Sequence, residues 1–154
     1  MNSTSTPFTA KRHFIEEQLL RITIRLKNID NTTNDDFLAI YQELQQAFQS
    51  IEKCYVELKF IVLTALIEYE PGVVYAFADN HLLHEMLGLK IVEIAEGVLL
   101  SESRLEKATG IASLIYHFNK YYMAIHENMY LEEATLLPLL KRYYNDDELL
   151  NIRM

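Results

Sequence analysis

The chain has 154 residues, a formal charge of −8 at pH 7 and a single cysteine, Cys54. We expect one domain over residues 1–154, because a chain of this length buries enough surface to fold without disulfides, which one cysteine cannot form internally. The negative charge argues against nucleic acid, and no apolar run reaches the ~20 residues of a membrane span. A cytoplasmic protein with neither nucleic acid nor membrane as partner is therefore expected.

Two long helices are predicted in the first half of the chain. The first is expected over residues 6–28, where Thr6 can cap the start and a cluster of turn-forming residues follows the end. The second is expected from about Asp35 to Glu70, because apolar residues recur along it with a helical period until Pro71 stops it.

Two more long helices are predicted in the second half. The third ends near Gly97 and carries one stripe of residues, which consists of Val74, Phe77, His81, Glu85, Gly88, Val92 and Ala95. The fourth runs from the capping box of Ser103 and Glu106 to about Tyr144, and a second box over residues 145–148 predicts a short terminal helix. Long amphipathic helices with short connections favour an all-α, up-down-up-down four-helix bundle.

The fourth helix contains the most informative stretch. Residues 128–138 read N-M-Y-L-E-E-A-T-L-L-P, and an aromatic pair and an acidic turn follow. This stretch resembles the metal-site helix of bacterial hemerythrin-like proteins, H-M-x-x-E-E-x-x-x-x-P, with Asn128 at the iron-binding histidine and Glu132 as the carboxylate. The resemblance implies a hemerythrin-like bundle, and an origin among proteins that bind non-haem iron and handle or sense oxygen, nitric oxide or redox state.

The resemblance extends to the other helices. Residues 81–88, H-L-L-H-E-M-L-G, are similar to the family's third-helix phrase, in which two histidines stand four apart before a Leu-Gly pair. His81 keeps the first histidine and Glu85 replaces the second. The second-helix ligand positions fall on Cys54 and Leu58, and the first-helix histidine falls on Arg12 or, one residue later, on His13. Because Leu58 cannot bind metal, the resemblance implies a degenerate di-iron site.

Several interpretations of the remaining polar residues stay open. Residues four apart lie on one side of a helix, so the pairs at these positions are expected to face inward. Buried carboxylates at Glu85 and Glu132 would need compensation. Arg12 could provide it as an ion pair that replaces the metal, or one divalent ion, Fe²⁺ or Zn²⁺, could bind His81, Glu85 and Glu132. A rotated helix would instead turn the carboxylates to solvent.

Other single residues receive plainer interpretations. Cys54 is expected to be a small buried hydrophobic residue, with a reactive thiol or a zinc ligand as the alternatives. His84 is expected to face outward, and His117 and His126 to lie at the surface or at the boundary of the core, although His126 could lean toward the site as a substitute ligand. No nucleotide-binding, zinc-protease or serine-hydrolase motif occurs in the sequence, so no enzymatic activity is predicted.

The sequence thus predicts a metal-free hemerythrin-like bundle that acts as a binding or interaction module for an unknown protein or small ligand. The alternative is a sensor or storage protein that holds one divalent metal on His81, Glu85 and Glu132. A di-iron protein with unorthodox ligands and a redox enzyme are the remaining hypotheses. A symmetric homodimer is the base-rate expectation.

Overall fold

The computed structural model describes residues 7–29 and 34–152, and most of these residues are helical. The helices are α1 (Pro7–Lys27), α2 (Asn34–Leu58), α3 (Pro71–Leu100), α4 (Arg104–Tyr143) and the short α5 (Asp146–Ile152). No β-strand occurs in the described ranges, so the predicted all-α class is confirmed there. The predicted cap, Thr6, lies outside the described residues. None of the described helices is both long and apolar enough to cross a membrane.

The chain stays helical beyond the end of α2. A π-helical segment, Lys59–Leu63, follows α2 and leads into a last α-helical turn, Thr64–Leu66. The sequence predicted an uninterrupted α-helix here. A π turn accommodates an extra residue, so two consecutive residues, Val62 and Leu63, are both buried. The local widening keeps both ends of this long helical stretch against the core.

The two predicted capping boxes mark helix starts. Ser103 Oγ accepts a hydrogen bond from the backbone N–H of Glu106 at 3.0 Å at the start of α4. At the start of α5, Asn145 and Glu148 bond reciprocally, each side chain accepting from the other's backbone N–H at 2.9 and 3.0 Å. These side chains satisfy amides that have no partner within the first helical turn.

The long helices contact one another in a closed order: α1 with α2, α2 with α3, α3 with α4, and α4 with α1. Tyr41 of α2 donates a hydrogen bond to Glu96, late in α3, whereas Tyr55, later in α2, lies against His81, early in α3, so the two helices are antiparallel. Two pairs of neighbouring residues show that each of the other three helix contacts is antiparallel as well. They are Lys11–Glu57 and Arg25–Glu43 between α1 and α2, Asn80–Asn128 and Val98–Gly110 between α3 and α4, and Arg12–Glu133 and Glu16–His126 between α1 and α4. This order is compatible with the up-down-up-down bundle predicted from the sequence.

The buried face of α3 follows alternating steps of three and four residues. It consists of Val74, Phe77, His84, Gly88, Ile91, Ala95 and Val98, with His81 partly buried between them. A stripe with a 3.5-residue period selects the residue three after His81, not the one four after it. The prediction that His84 faces outward is therefore wrong, and Glu85, which was placed in the stripe, is exposed.

Candidate functional site

A buried polar site lies between α3 and α4 and is centred on Glu132, which is 4% exposed. Its Oε1 accepts a 2.6 Å hydrogen bond from Nδ2 of Asn128, one turn earlier on α4. The same oxygen lies 3.0 Å from Nε2 of His81 on α3. An ionised carboxylate can only accept, so this contact requires the form of His81 in which Nε2 carries a proton and donates it. Two helices thus compensate one buried carboxylate.

Asn128 connects this carboxylate to a second amide on α3. Asn80 Nδ2 donates to Asn128 Oδ1 at 3.4 Å, while Nδ2 of Asn128 donates to Glu132. The amide of Asn128 donates through Nδ2 and accepts through Oδ1 at the same time. An imidazole nitrogen that is bound to a metal can do neither. We call Asn80, His81, Asn128 and Glu132 the polar cluster. Asn80 was not predicted from the sequence to belong to it.

Aromatic rings cover one side of the polar cluster. The Tyr55 ring on α2 lies 4.3 Å from the His81 ring and 6.0 Å from the His84 ring, measured between centroids. Burial, and to a lesser degree the negative charge of Glu132, raises the pKa of the Tyr55 phenol well above its ordinary value. Tyr55 is therefore protonated at neutral pH and contributes a hydroxyl, not a phenolate.

His84 is buried beside this ring, at 6% exposure, and its Nδ1 has no hydrogen-bond partner among the described residues. Burial, assisted by the nearby His81, lowers the pKa of His84 to about 4. The ring is therefore neutral at pH 7. A buried nitrogen without a partner is uncommon in folded proteins and calls for an explanation.

Other residues predicted for the site lie away from the polar cluster or at its edge. Glu85 is exposed on α3. Cys54 is half-buried, and burial raises the pKa of its thiol, which therefore stays protonated at neutral pH. It lines a small cavity of about 30 Å³ together with Arg12 and Glu132. The side chain of Leu58 lies outside the described residues.

Arg12 does not pair with the carboxylate that the sequence analysis assigned to it. Its guanidinium donates to Glu133, and it also lies over the ring of Tyr130, 4.9 Å from the centroid. Successive residues of a helix point about 100° apart, so Glu132 faces the interior while Glu133 faces α1. The proposed Arg12–Glu132 ion pair is corrected to Arg12–Glu133. His13, the alternative first-helix position, is exposed.

The two remaining histidines of the fourth helix have partners of their own. His126 Nδ1 lies 3.0 Å from Glu16 Oε1 on α1. His117 Nδ1 lies 2.8 Å from the backbone oxygen of Ser113, one turn earlier. These contacts place both residues in boundary positions, as the plainer interpretation predicted, and direct His126 toward α1.

The donor atoms of the polar cluster do not fit a di-iron centre. Such centres in helical bundles use several carboxylates and imidazoles from all four helices. The polar cluster offers one imidazole, one carboxylate and two neutral amides. Within residues 7–29 and 34–152, no group of three or more His, Cys, Asp or Glu side chains is arranged to hold a metal ion.

A cleft of about 280 Å³ lies next to the polar cluster, between α2 and α3. Tyr55, His81 and His84 form its inner, polar side. Among the described residues, Glu52 and Glu85 are the charged ones that line it, and most of its remaining lining is apolar or aromatic. This cleft was not predicted from the sequence, although strictly alternating steps of three and four along α3 would have led from Val74 through Phe77 and His81 to His84.

Comparison with known proteins adds no relative, because no family model, curated protein or solved structure matches this chain. The hemerythrin-like resemblance therefore stays a prediction, and it depends on the α4 motif around Asn128 and Glu132 and on the α3 phrase that begins at His81.

Proposed function

We propose that this protein is a hemerythrin-like four-helix bundle that acts as a metal-free binding module. In this proposal, hydrogen bonds among His81, Asn128 and Glu132 replace the ligand bonds of an ancestral metal site. The observation that carries the proposal is the arrangement around Glu132 Oε1, which accepts from α4 and from α3 at 2.6 and 3.0 Å.

The energetics of a buried carboxylate support this proposal. Removing an ionised carboxylate from water costs several kcal/mol unless a metal or hydrogen-bond donors compensate it. Asn128 supplies a donor at the position where the family has a histidine, whose free nitrogen would bind metal. One substitution therefore removes a ligand and adds a hydrogen bond to the remaining carboxylate.

The binding role is supported by the cleft between α2 and α3. Ligand sites are concave and mainly apolar, with a few polar groups that orient the ligand, and bundles often form them between helices. The cleft has this composition, and His84 lies on it with an unpartnered nitrogen. A mainly apolar cleft with few polar groups therefore supports a binding module.

Anaerobic titration with Fe²⁺ and Zn²⁺, followed by calorimetry and thermal unfolding, tests the metal-free interior. We expect no saturable binding and an unchanged Tm, because Glu132 already has its donors. The matched variant is His81→Gln, which keeps a donor on α3 but removes the imidazole. Binding of metal by the natural chain and its loss in His81→Gln would overturn the proposal.

The alternative is a single divalent ion on His81, Glu85 and Glu132. One observation favours it: the imidazole and the carboxylate lie only 3.0 Å apart, so an ion could replace the shared proton. Glu85 would have to turn inward from its exposed position. In the same titration, this alternative requires Glu85→Gln to weaken metal binding strongly, whereas Glu127→Gln, an exposed residue of α4, should leave it unchanged.

A further inference from the structure

We propose that the cleft between α2 and α3 binds a small organic monocation with an apolar body, of the arylalkylamine class. The inference rests on the proposed function as a binding module and specifies the chemistry of its ligand. It follows from three separate properties of the cleft, namely its shape, its charge and the unpartnered nitrogen of His84.

The shape suits one ring with a short chain. A volume of about 280 Å³ is at the small end of ligand pockets. The rings of Phe48 and Tyr121 pack edge to face at 5.0 Å and form an aromatic wall. Gly88 lies beside this wall, because a Cβ there would make ordinary van der Waals contact, 3.7 Å from Tyr121 Cε2 and 3.8 Å from Phe48 Cδ1. The missing side chain at Gly88 therefore leaves a methyl-sized space next to the two rings.

The charge of the cleft favours a cation. Glu52 on α2 and Glu85 on α3 are exposed and line it, and no Lys or Arg is among the described residues that line it. The chain as a whole carries −8, which adds a favourable field for a cation and an unfavourable one for an anion. The faces of aromatic rings also attract cations. A carboxylate or phosphate ligand would meet no compensating group here.

His84 supplies a group that can orient the ligand. In the neutral tautomer with the proton on Nε2, the unpartnered Nδ1 is an acceptor. This nitrogen is covered, so binding requires the ring to rotate until Nδ1 faces the cleft. An ammonium N–H would then satisfy the nitrogen, and the free energy of leaving it unpaired would be recovered on binding.

The surroundings of the cleft argue against a second copy of this chain as the occupant. Exposed apolar residues such as Leu82 and Leu89 do border the cleft. A symmetric contact through them would, however, bring Glu85 of one copy close to Glu85 of the other. Like charges in an interface are unfavourable, whereas a monocation between Glu52 and Glu85 is attracted by both.

Three probes of nearly the same shape test the ligand class by calorimetry: 2-phenylethylamine, 2-phenylethanol and phenylacetate. We expect the amine to bind saturably and about tenfold more tightly than the alcohol, a difference that ion pairing and cation–π contacts can supply. Phenylacetate should not bind. Equal binding of all three probes, preferred binding of the acid, or no saturable binding of the amine would overturn the inference.

Two variant pairs locate the site. Glu52→Gln combined with Glu85→Gln should weaken amine binding about fivefold or more and leave the alcohol unchanged, whereas Glu127→Gln should change neither. Gly88→Ala should weaken both ligands, while Gly97→Ala, on the same helix with nothing within 4 Å of an added Cβ, should not. An amine that binds equally to all variants would place the site elsewhere.

Failure of the inferred ligand class can be distinguished from failure of the proposed function. Metal binding that depends on His81 would refute the metal-free interior, whatever the amines do. A chain that binds neither metal nor amine would refute the ligand class alone.

Discussion

The two ends of the α3–α4 pair have the same spacing of buried residues but opposite chemistry. Toward the end of α3, the buried face carries Ile91, Ala95 and Val98, and the facing part of α4 carries Leu114 and Phe118. Toward the start of α3, equivalent positions carry His81 and His84, and the facing part of α4 carries Asn128 and Glu132. Spacing decides which residues lie inside, and residue type decides whether the inside is a dry core or a hydrogen-bonded site.

This difference implies that the two ends have different roles, stability at the apolar end and function at the polar end. The apolar end gains free energy from burial, at roughly 25 cal/mol per Å² of apolar surface removed from water. The polar end gains little, because hydrogen bonds to a buried carboxylate about offset its lost hydration. The apolar end should therefore hold the fold together, and the polar end should be the part that can be altered at moderate cost.

The largest effect is expected at the apolar end. Leu114 is 0% exposed, so Leu114→Ala should lower the free energy of unfolding by about 2–5 kcal/mol through lost burial and a cavity. Urea unfolding followed by circular dichroism measures the loss. The control Leu105→Ala, at an exposed position near the start of the same helix, should change it by less than about 0.5 kcal/mol. Similar effects for the two variants would contradict the division.

A smaller effect is expected when the polar cluster is broken. Glu132→Leu leaves the donors of His81 and Asn128 without their acceptor and should cost roughly 1–3 kcal/mol. Replacing His81, Asn128 and Glu132 together by Leu removes all three polar groups, and the triple variant should be at least as stable as the single one. A triple variant that is less stable than Glu132→Leu would show that the cluster itself stabilises the fold.

The pH dependence of stability distinguishes the two ends further. His84 has a pKa lowered from 6.5 to about 4 in the folded chain, so the unfolded chain binds a proton more readily between these values. Its contribution to stability is complete above pH 6.5 and is lost as the pH falls toward 4. We expect a loss of roughly 1–2 kcal/mol, less than the full shift implies, because the cleft admits water. The measurement is the urea midpoint of unfolding as a function of pH. His84→Gln should flatten this curve between pH 4 and pH 6.5, and an unchanged curve would count against a buried neutral ring.

The smallest effect is expected at the pair of Arg12 and Glu133. Both side chains are only partly buried, so Arg12→Met should cost about 0.2–1 kcal/mol, and less at high salt. A double-mutant cycle with Glu133→Gln isolates the pair. A buried Arg12–Glu132 bridge would instead give a larger loss, roughly 3–5 kcal/mol. A loss of that size, together with a coupling energy between Arg12 and Glu132 and none between Arg12 and Glu133, would refute the corrected pairing.

The helices could be predicted from the sequence because their signals are local. A helical period of apolar residues, Pro71 and the capping boxes at Ser103 and Asn145 depend on neighbours within a few positions. The π-helical segment after Leu58 could not be predicted in this way. It has no marker residue of its own, and only the packing of Val62 and Leu63 explains it.

The candidate site was predicted in part. His81, Asn128 and Glu132 were assigned to inward stripes, and the structure brings them together. His84 and Glu85 were exchanged because the rotation of a helix about its axis is set by tertiary packing, and one residue of rotation decides between them. The partner of Arg12 was misassigned because α1 packs against the side of α4 that carries Glu133, whereas Glu132 faces the interior as predicted. The cleft depends on the space between two helices, which no single stretch of sequence encodes.

The most direct test of the metal-free interior is a ¹H–¹⁵N spectrum of the imidazole rings, recorded without and with a stoichiometric amount of Zn²⁺. His81→Gln identifies the His81 signals. We predict that Nε2 of His81 carries a proton hydrogen-bonded to Glu132 and that its signals do not change when Zn²⁺ is added. Loss of that proton, with a shift of Nε2 to the position of a metal-bound nitrogen, would contradict the account.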